Sequence, residues 1–259
     1  MLHYKIFANK DLPWITFIHG AGGSSNIWFK QLKPLKEHYN LLLIDLRGHG
    51  QSKNSYSDWK KYSFESIGND VLEVLDHLKI QQTHFVGISL GTIIIREITE
   101  RHPDRTISMI MGGAVTDLNF RCRWLMRIAN MTKSVIPYMI LYKFFAFIIM
   151  PKKNHSESRN LFVKEAKKLY QKEFRKWISM FSQVKPIFKL FHAKESEKPT
   201  LYIMGSEDYL FLPAVQKIVA SHKKSTLRII EQCGHVVNIE QPQIFNDIVL
   251  SHLKTFELK

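Results

Sequence analysis

Cysteine is scarce in this chain: Cys122 and Cys233 are the only two in 259 residues. That excludes a disulfide framework as the source of stability and fits a reducing cytoplasm, which is where the protein is expected to work. Glycine and proline are sparse too, at 12 and 9, which argues against collagen-like or low-complexity architecture. The opening "MLHYKIFANK" has no long apolar run and no small-residue cleavage site of a secretory leader. No apolar run reaches the ~20 residues of a membrane span. The longest, "VIPYMILYKFFAFIIM" (135–150), contains Pro137 and Lys143. Sixteen helical residues cover about 24 Å against a hydrocarbon core of about 30 Å, and a lysine at mid-span costs about 3 kcal/mol. Nothing in the chain has metal-ligand spacing, and neither metal nor cofactor is expected.

Acidic residues are also in short supply, 23 against 37 Lys and Arg, for a net charge of +14. The shortage is local. Between Phe120 and Pro199 stand 18 basic and 5 acidic residues, leaving 19 and 18 for the rest. One contiguous third of the sequence holds nearly all the excess, and such asymmetry marks either solvated helix faces or a surface for an anionic partner. Anionic lipid or an acidic substrate is the partner expected. No nucleic-acid recognition motif accompanies the charge, and nucleic acid is not expected.

The order of elements is readable from hydrophobic pattern. "WITFIHG" (14–20), "LLLIDLRG" (41–48), "HFVGIS" (84–89) and "ISMIMGG" (107–113) are apolar runs closed by turns, the mark of buried strands. Amphipathic stretches at 27–38, 63–78 and 90–102 separate them. Strands alternating with helices predict a mostly parallel sheet covered on both faces. From 117 to 198 the strand signal gives way to helical, aromatic and basic sequence. It resumes at "TLYIMGSED" (200–208) and "LRII" (227–230), before a closing amphipathic helix over 241–256. The predicted organisation is an α/β core, 1–116 and 199–259, interrupted by a helical insertion at 117–198.

Gly87-Ile88-Ser89-Leu90-Gly91 is a G-x-S-x-G at a strand-to-helix junction. A serine there sits on a sharp, strained turn that lifts its Oγ off the sheet, and the glycines remove side chains that would collide. The new helix aims its free N–H groups at the same spot. A serine needs a base. Of twelve histidines, His235 stands out between a strand and the last helix, and unlike His19 and His49 it follows both the serine and a suitable acid, Asp208; the order Ser89, Asp208, His235 is the one described for this elbow. All three are expected at strand carboxyl ends, where α/β sheets bind ligands.

With "HGAGGS" (19–24), "DLRGHGQS" (45–52), "GISLG" (87–91), "GSED" (205–208) and "GHVVNIEQP" (234–242) in this order, the chain resembles the α/β-hydrolase superfamily, in its cap-containing serine esterase and lipase-like branch. The resemblance implies Ser89 as nucleophile, His235 as general base, Asp208 as its orienting acid, and an oxyanion hole from the N–H groups of Ala21 and Leu90. It makes 117–198 a cap over the nucleophile. Asp117 is the rival acid used by some relatives. His19 is expected to brace the oxyanion loop, Asp45, Arg47 and His49 to hold a tight turn, Glu207 to be a solvated loop charge, and Cys233 to be a bystander.

The implied activity is cleavage of a carboxylic ester through an acyl-enzyme, with an apolar acyl group of medium or long chain. Trp124, Met131, Met139, Phe144, Phe145 and Phe147 are the expected substrate-binding residues, against the plainer alternative that they only pack the insertion onto the core. Thioesterase, amidase, lactonase and C–C hydrolase chemistry use the same triad and stay open. So does a non-catalytic ligand-binding or receptor protein on this fold. Dehalogenase and epoxide hydrolase relatives carry Asp at the elbow, where this chain has Ser89. With a histidine base, activity falls in acid as the imidazole protonates.

Overall fold

The computed structural model describes residues 1–8, 11–53, 62–132, 134–181 and 184–256. Its centre is a seven-stranded sheet of β1 (Tyr4–Phe7), β2 (Trp14–Ile18), β3 (Asn40–Ile44), β4 (Thr83–Ile88), β5 (Thr106–Gly112), β6 (Thr200–Gly205) and β7 (Ser225–Ile230). The spatial order is β1-β3-β2-β4-β5-β6-β7. β1 runs antiparallel to β3, while the remaining neighbours are parallel. The apolar runs are strands as their pattern predicts, but each ends before the chemistry begins. β2 stops at Ile18, β3 at Ile44, β4 at Ile88 and β6 at Gly205, so His19, Asp45, Ser89 and Asp208 fall in the loops beyond. β1 has no counterpart in the sequence reading: "YKIF" is a short, half-exposed edge strand with weak alternation.

Helices α1 (Phe29–Leu35), α2 (Phe64–His77), α3 (Leu90–Arg101), α9 (Leu212–Ser221), α10 (Val237–Glu240) and α11 (Pro242–Lys254) accompany the sheet, and α4 (Phe120–Thr132), α5 (Tyr138–Ile149), α6 (Ser156–Ala166), α7 (Gln171–Phe181) and α8 (Lys185–Ala193) intervene between β5 and β6. Strand periodicity of two sorts the core. Ile15, Phe17, Leu41 and Leu43 pack with α1 and α11. Ile18, Leu42 and Ile44 turn to the opposite face, with α2, α3, α8 and α9. Helix α2 starts where the sequence says it should, because Ser63 and Ser66 form a reciprocal capping box.

The helical insert has a small core of its own, in which Ala129, Leu141, Tyr142, Ala166, Phe174 and Ile178 meet. Polar contacts fasten it to the sheet loops: Ser24 Oγ donates to Glu165 at 2.6 Å, Lys30 Nζ to Glu157 at 2.6 Å, and Trp177 Nε1 to the Arg47 carbonyl at 3.2 Å. Among the described residues no helix is long and apolar enough to cross a membrane.

Candidate active site

Ser89 occupies the step from β4 to α3 with φ 54° and ψ −117°, a left-handed conformation that is strained for any residue with a side chain. The strain is held by close packing. A Cβ on Gly91 would lie 2.2 Å from the Ile18 carbonyl oxygen, so α3 can approach β2 only with glycine there. The Ser89 N–H donates to the Gly112 carbonyl at 3.1 Å, tying the turn to β5.

Two other loops reach the same point. Asp208, fully buried after β6, accepts at Oδ2 from His235 Nδ1 at 2.8 Å. His235 Nε2 lies 2.9 Å from Ser89 Oγ. A carboxylate can only accept, so Nδ1 carries the hydrogen and Nε2 is left with its lone pair facing the serine. The phenyl ring of Phe211 packs against the imidazole at 5.0 Å between centroids, tilted by 43°. The structure therefore brings together Ser89, Asp208 and His235. Asp117 stands apart, half exposed, with Arg123 3.9 Å away.

The loop after β2 carries the other expected donor. His19 Nε2 accepts from the Leu46 N–H at 3.0 Å, which leaves Nδ1–H to donate to the Gly20 carbonyl at 2.7 Å. His49 Nε2 accepts from the Gly22 N–H at 2.9 Å, and its Nδ1–H donates to the Arg47 carbonyl at 3.0 Å. Burial keeps both imidazoles neutral; it drives the His49 pKa down to about 3 and also lowers that of His19. Asp45 accepts from the Ser25 and Gln51 N–H groups at 2.6 and 2.9 Å. Arg47 makes a two-pronged pair with Asp70 at 2.8 and 2.7 Å. The turn residues thus brace the segment that presents Ala21. Leu90 is the first residue of α3, where an N–H has no intrahelical acceptor.

Beside Ser89 lies a cavity of about 180 Å³ whose walls are almost entirely apolar. Ala21, Ser89 and His235 border it on the sheet side, and Tyr142, Phe145, Phe174 and Ile178 among others on the insert side. Of the substrate residues expected from sequence, Phe145 lines this cavity. Met139 packs instead against the insert's internal core. Trp124, Met131, Phe144 and Phe147 face outward, with 56, 81, 51 and 60% of their surface exposed, and correct the sequence expectation. The physical reason is that α4 and α5 are apolar on more than one face. In α5, Tyr142, Phe145 and Ile149 follow one helical stripe and Ile140, Phe144 and Phe147 another, so periodicity cannot say which faces in. On α4 the smaller Cys122, Leu125 and Met126 line the cavity in place of the aromatics.

Two features escaped the sequence reading. Tyr142 is buried, its hydroxyl has no hydrogen-bond partner among the described residues, and it sits so close to Gly22 that a Cβ there would be 1.8 Å from the oxygen. Glu207 is also no solvated charge. It accepts from Lys152, Asn154 and His155 at 2.7, 2.9 and 2.7 Å, and these donors, Lys152 foremost, hold its carboxyl down to about 2. His155, Ser158 and Glu240 continue the contact to the Gly234 N–H, next to His235. This network spans residues with no local pattern in common, so no sequence signal marks it. Both thiols are free and buried, and burial pushes Cys122, which borders the cavity, up to about 11.

Comparison with known proteins agrees with this architecture. A family described as "alpha/beta hydrolase fold" matches residues 13–126. 3-Oxoadipate enol-lactonase 2 of Acinetobacter baylyi is 26% identical over 98% of this chain and 94% of its own length. A hydrolase from Oleispira antarctica superposes with a TM-score of 0.85 at 20% identity, covering 98% of this chain and 94% of that one. Est816, described as an N-acyl homoserine lactone degrading enzyme, does so with 0.78 at 21%, covering 96% of each. With five motif segments in order, a parallel sheet with one antiparallel edge and an elbow serine at the end of β4, the chain has the α/β-hydrolase fold.

Proposed function

We propose that the protein is a serine hydrolase that cleaves carboxylic esters with an apolar acyl group through an acyl-enzyme, residues 117–198 serving as a cap over a core of 1–116 and 199–259. The observation that carries the reading is the continuous Asp208–His235–Ser89 hydrogen-bonded line opening onto an apolar cavity. In this mechanism Ser89 Oγ attacks the carbonyl carbon as His235 Nε2 takes its proton, and Asp208 stabilises the imidazolium. The N–H groups of Ala21 and Leu90 meet the developing oxyanion, each worth about 10²–10³ in rate. The C–O bond breaks, the alcohol leaves with the proton from His235, and water repeats the sequence to release the acid and Ser89.

A cavity of about 150 Å³ holds a benzene-sized group, so the 180 Å³ here supports an acyl group of medium length, with Phe145 on its wall. Lactone hydrolysis is the second reading. A lactone is a cyclic ester, the same steps open it, and the similarity to an enol-lactonase covers nearly the whole chain. Peripheral contact with anionic lipid is supported by the outward Trp124, Phe144 and Phe147 among the insert's cations; retention on anionic but not neutral vesicles at low salt tests it. The chemistry is tested by initial rates on p-nitrophenyl esters from acetyl to palmitoyl, with Ser89→Ala beside the wild type. Turnover highest at about six to eight carbons and lower by four or more orders of magnitude (~10⁴) in Ser89→Ala is expected. Activity retained in Ser89→Ala overturns the reading.

A further inference from the structure

A second depression, of about 780 Å³, lies between α4, α7 and α8 and does not touch Ser89. Its rim is cationic, with Arg123 and Arg127 from α4 and Lys185 and Lys189 from α8. Each set follows the i, i+4 spacing that places side chains on one helix face, a like-charge arrangement that destabilises a helix unless something anionic relieves it.

Several of the insert's other cations have carboxylate partners, Lys152 with Glu207, Lys168 with Glu165, Lys176 with Glu173 and Lys194 with Glu100. In the groove only Arg123 has a carboxylate near, Asp117 at 3.9 Å; among the described residues Arg127, Lys185 and Lys189 have no ion-pair partner. The floor is apolar, and Leu118, Met126, Ile178 and Phe181 belong both to it and to the wall of the cavity beside Ser89. One thin apolar partition therefore separates a small greasy cavity from a cationic groove of more than four times its volume.

We propose that the groove seats a phosphate-bearing leaving group, so that the substrate is an acyl ester or thioester whose alcohol or thiol half is anionic. The inference rests on the serine-hydrolase reading. The acyl group fills the cavity. The bulkier half lies over the partition with its phosphate among Arg123, Arg127, Lys185 and Lys189, where guanidinium forks and ammonium groups replace the ion's water. In the reaction Ser89 Oγ bonds to the acyl carbon, the C–O or C–S bond breaks, and the phosphate-bearing alcohol or thiol departs with the proton from His235. Water then frees the acid. No oxidant or co-reactant is needed. The same chemistry serves a soluble phosphorylated thiol and a phospholipid headgroup.

Two matched pairs test it on the full chain. Hexanoyl-coenzyme A is compared with hexanoyl-N-acetylcysteamine, the same thioester without phosphates. Hexanoyl-lysophosphatidylglycerol is compared with monohexanoylglycerol. Each probe is assayed for kcat/KM on the wild type and on a triple variant, Arg127→Gln with Lys185→Gln and Lys189→Gln. Its binding to Ser89→Ala is measured by titration calorimetry. In at least one pair the phosphate probe is expected to lead its neutral partner by about tenfold or more, and the lead to vanish in the triple variant and in high salt. A lead in the first pair identifies a soluble thiol, and in the second a headgroup. Neutral probes that bind and react as well as phosphate probes, or a lead that survives the triple variant, overturn the proposal. Ser89→Ala that still turns over the probes overturns the nucleophile instead, and the binding ratio still judges the groove.

Discussion

The sheet side and the insert side of the cavity are held by different forces. On the sheet side each residue of the proposed triad has one place. Ser89 is fixed by a strained turn, His235 by a carboxylate and a tilted phenyl ring, and the Ala21 loop by two histidines whose tautomers are set by their partners. On the insert side the wall is made of helices that pack through apolar contact and keep greasy residues on both faces. Hydrogen bonds are directional and dispersion is not. The first side therefore suits bond-making chemistry and the second suits shape, where one apolar residue substitutes for another with modest loss.

The contrast can be broken most sharply at Asp208. Asp208→Asn is expected to lower kcat by about 10³–10⁴ with little change in fold, because an amide that donates to Nδ1 turns the imidazole's hydrogen toward Ser89. Steady-state rates with a circular dichroism control decide it, and a loss below tenfold would mean that the carboxylate is not the orienting group.

Acid should act next, and on the sheet side first. The pKa of His49 is depressed to about 3 in the folded state. The unfolded chain therefore binds a proton near pH 6.5 that the native protein refuses, and stability drains away as pH falls from about 6.5 to 3, by a few kcal/mol at most. Glu207 is the opposite kind of group: its clamp is at full strength above about pH 4.5 and is lost as pH falls toward 2. Denaturant titrations from neutral to pH 4 should show His49→Gln less acid-sensitive than wild type. An identical slope would remove His49 as the cause.

Gly22 joins the two sides. It has φ 68° and faces the Tyr142 hydroxyl, so Gly22→Ala is expected to cost about 1–3 kcal/mol and to slow turnover by displacing Ala21. Thermal melts check the first part and kcat the second. If Gly22→Ala costs clearly less in a Tyr142→Leu background, where the ring carbons that would meet the new Cβ are gone, the clash is the reason and the remainder is backbone strain.

The smallest effect separates neighbours on α5. Phe144→Ser, at an outward position, should change stability by no more than about 0.5 kcal/mol and leave ester preference alone. Phe145→Ala should enlarge the cavity and move the preference to longer acyl chains. Equal responses would mean that the insert wall is not read by position.

Much of this site was legible before any coordinates. The elbow around Ser89 announces itself because a tight strand-to-helix turn permits few residue types, Asp208 stands just beyond an apolar run that reads as a buried strand, and His235 lies between a short strand and the closing helices. These are local rules, in which backbone geometry dictates residue identity over five to ten positions. The insert obeys no such rule. In "YMILYKFFAFII" every face is apolar, so Phe144 and Phe145 are equivalent in the sequence and opposite in the fold. Glu207 reads as a surface charge until Lys152, Asn154 and His155, more than fifty residues earlier, close on it. The sequence by itself determined the parallel strands of the sheet, the order of the proposed triad and the place of the basic third. Only the tertiary structure decided which side of α5 meets the cavity, which cations share a groove, and that Tyr142 hangs over Gly22, because those are contacts between helices whose sequences constrain their own periodicity and not their neighbours.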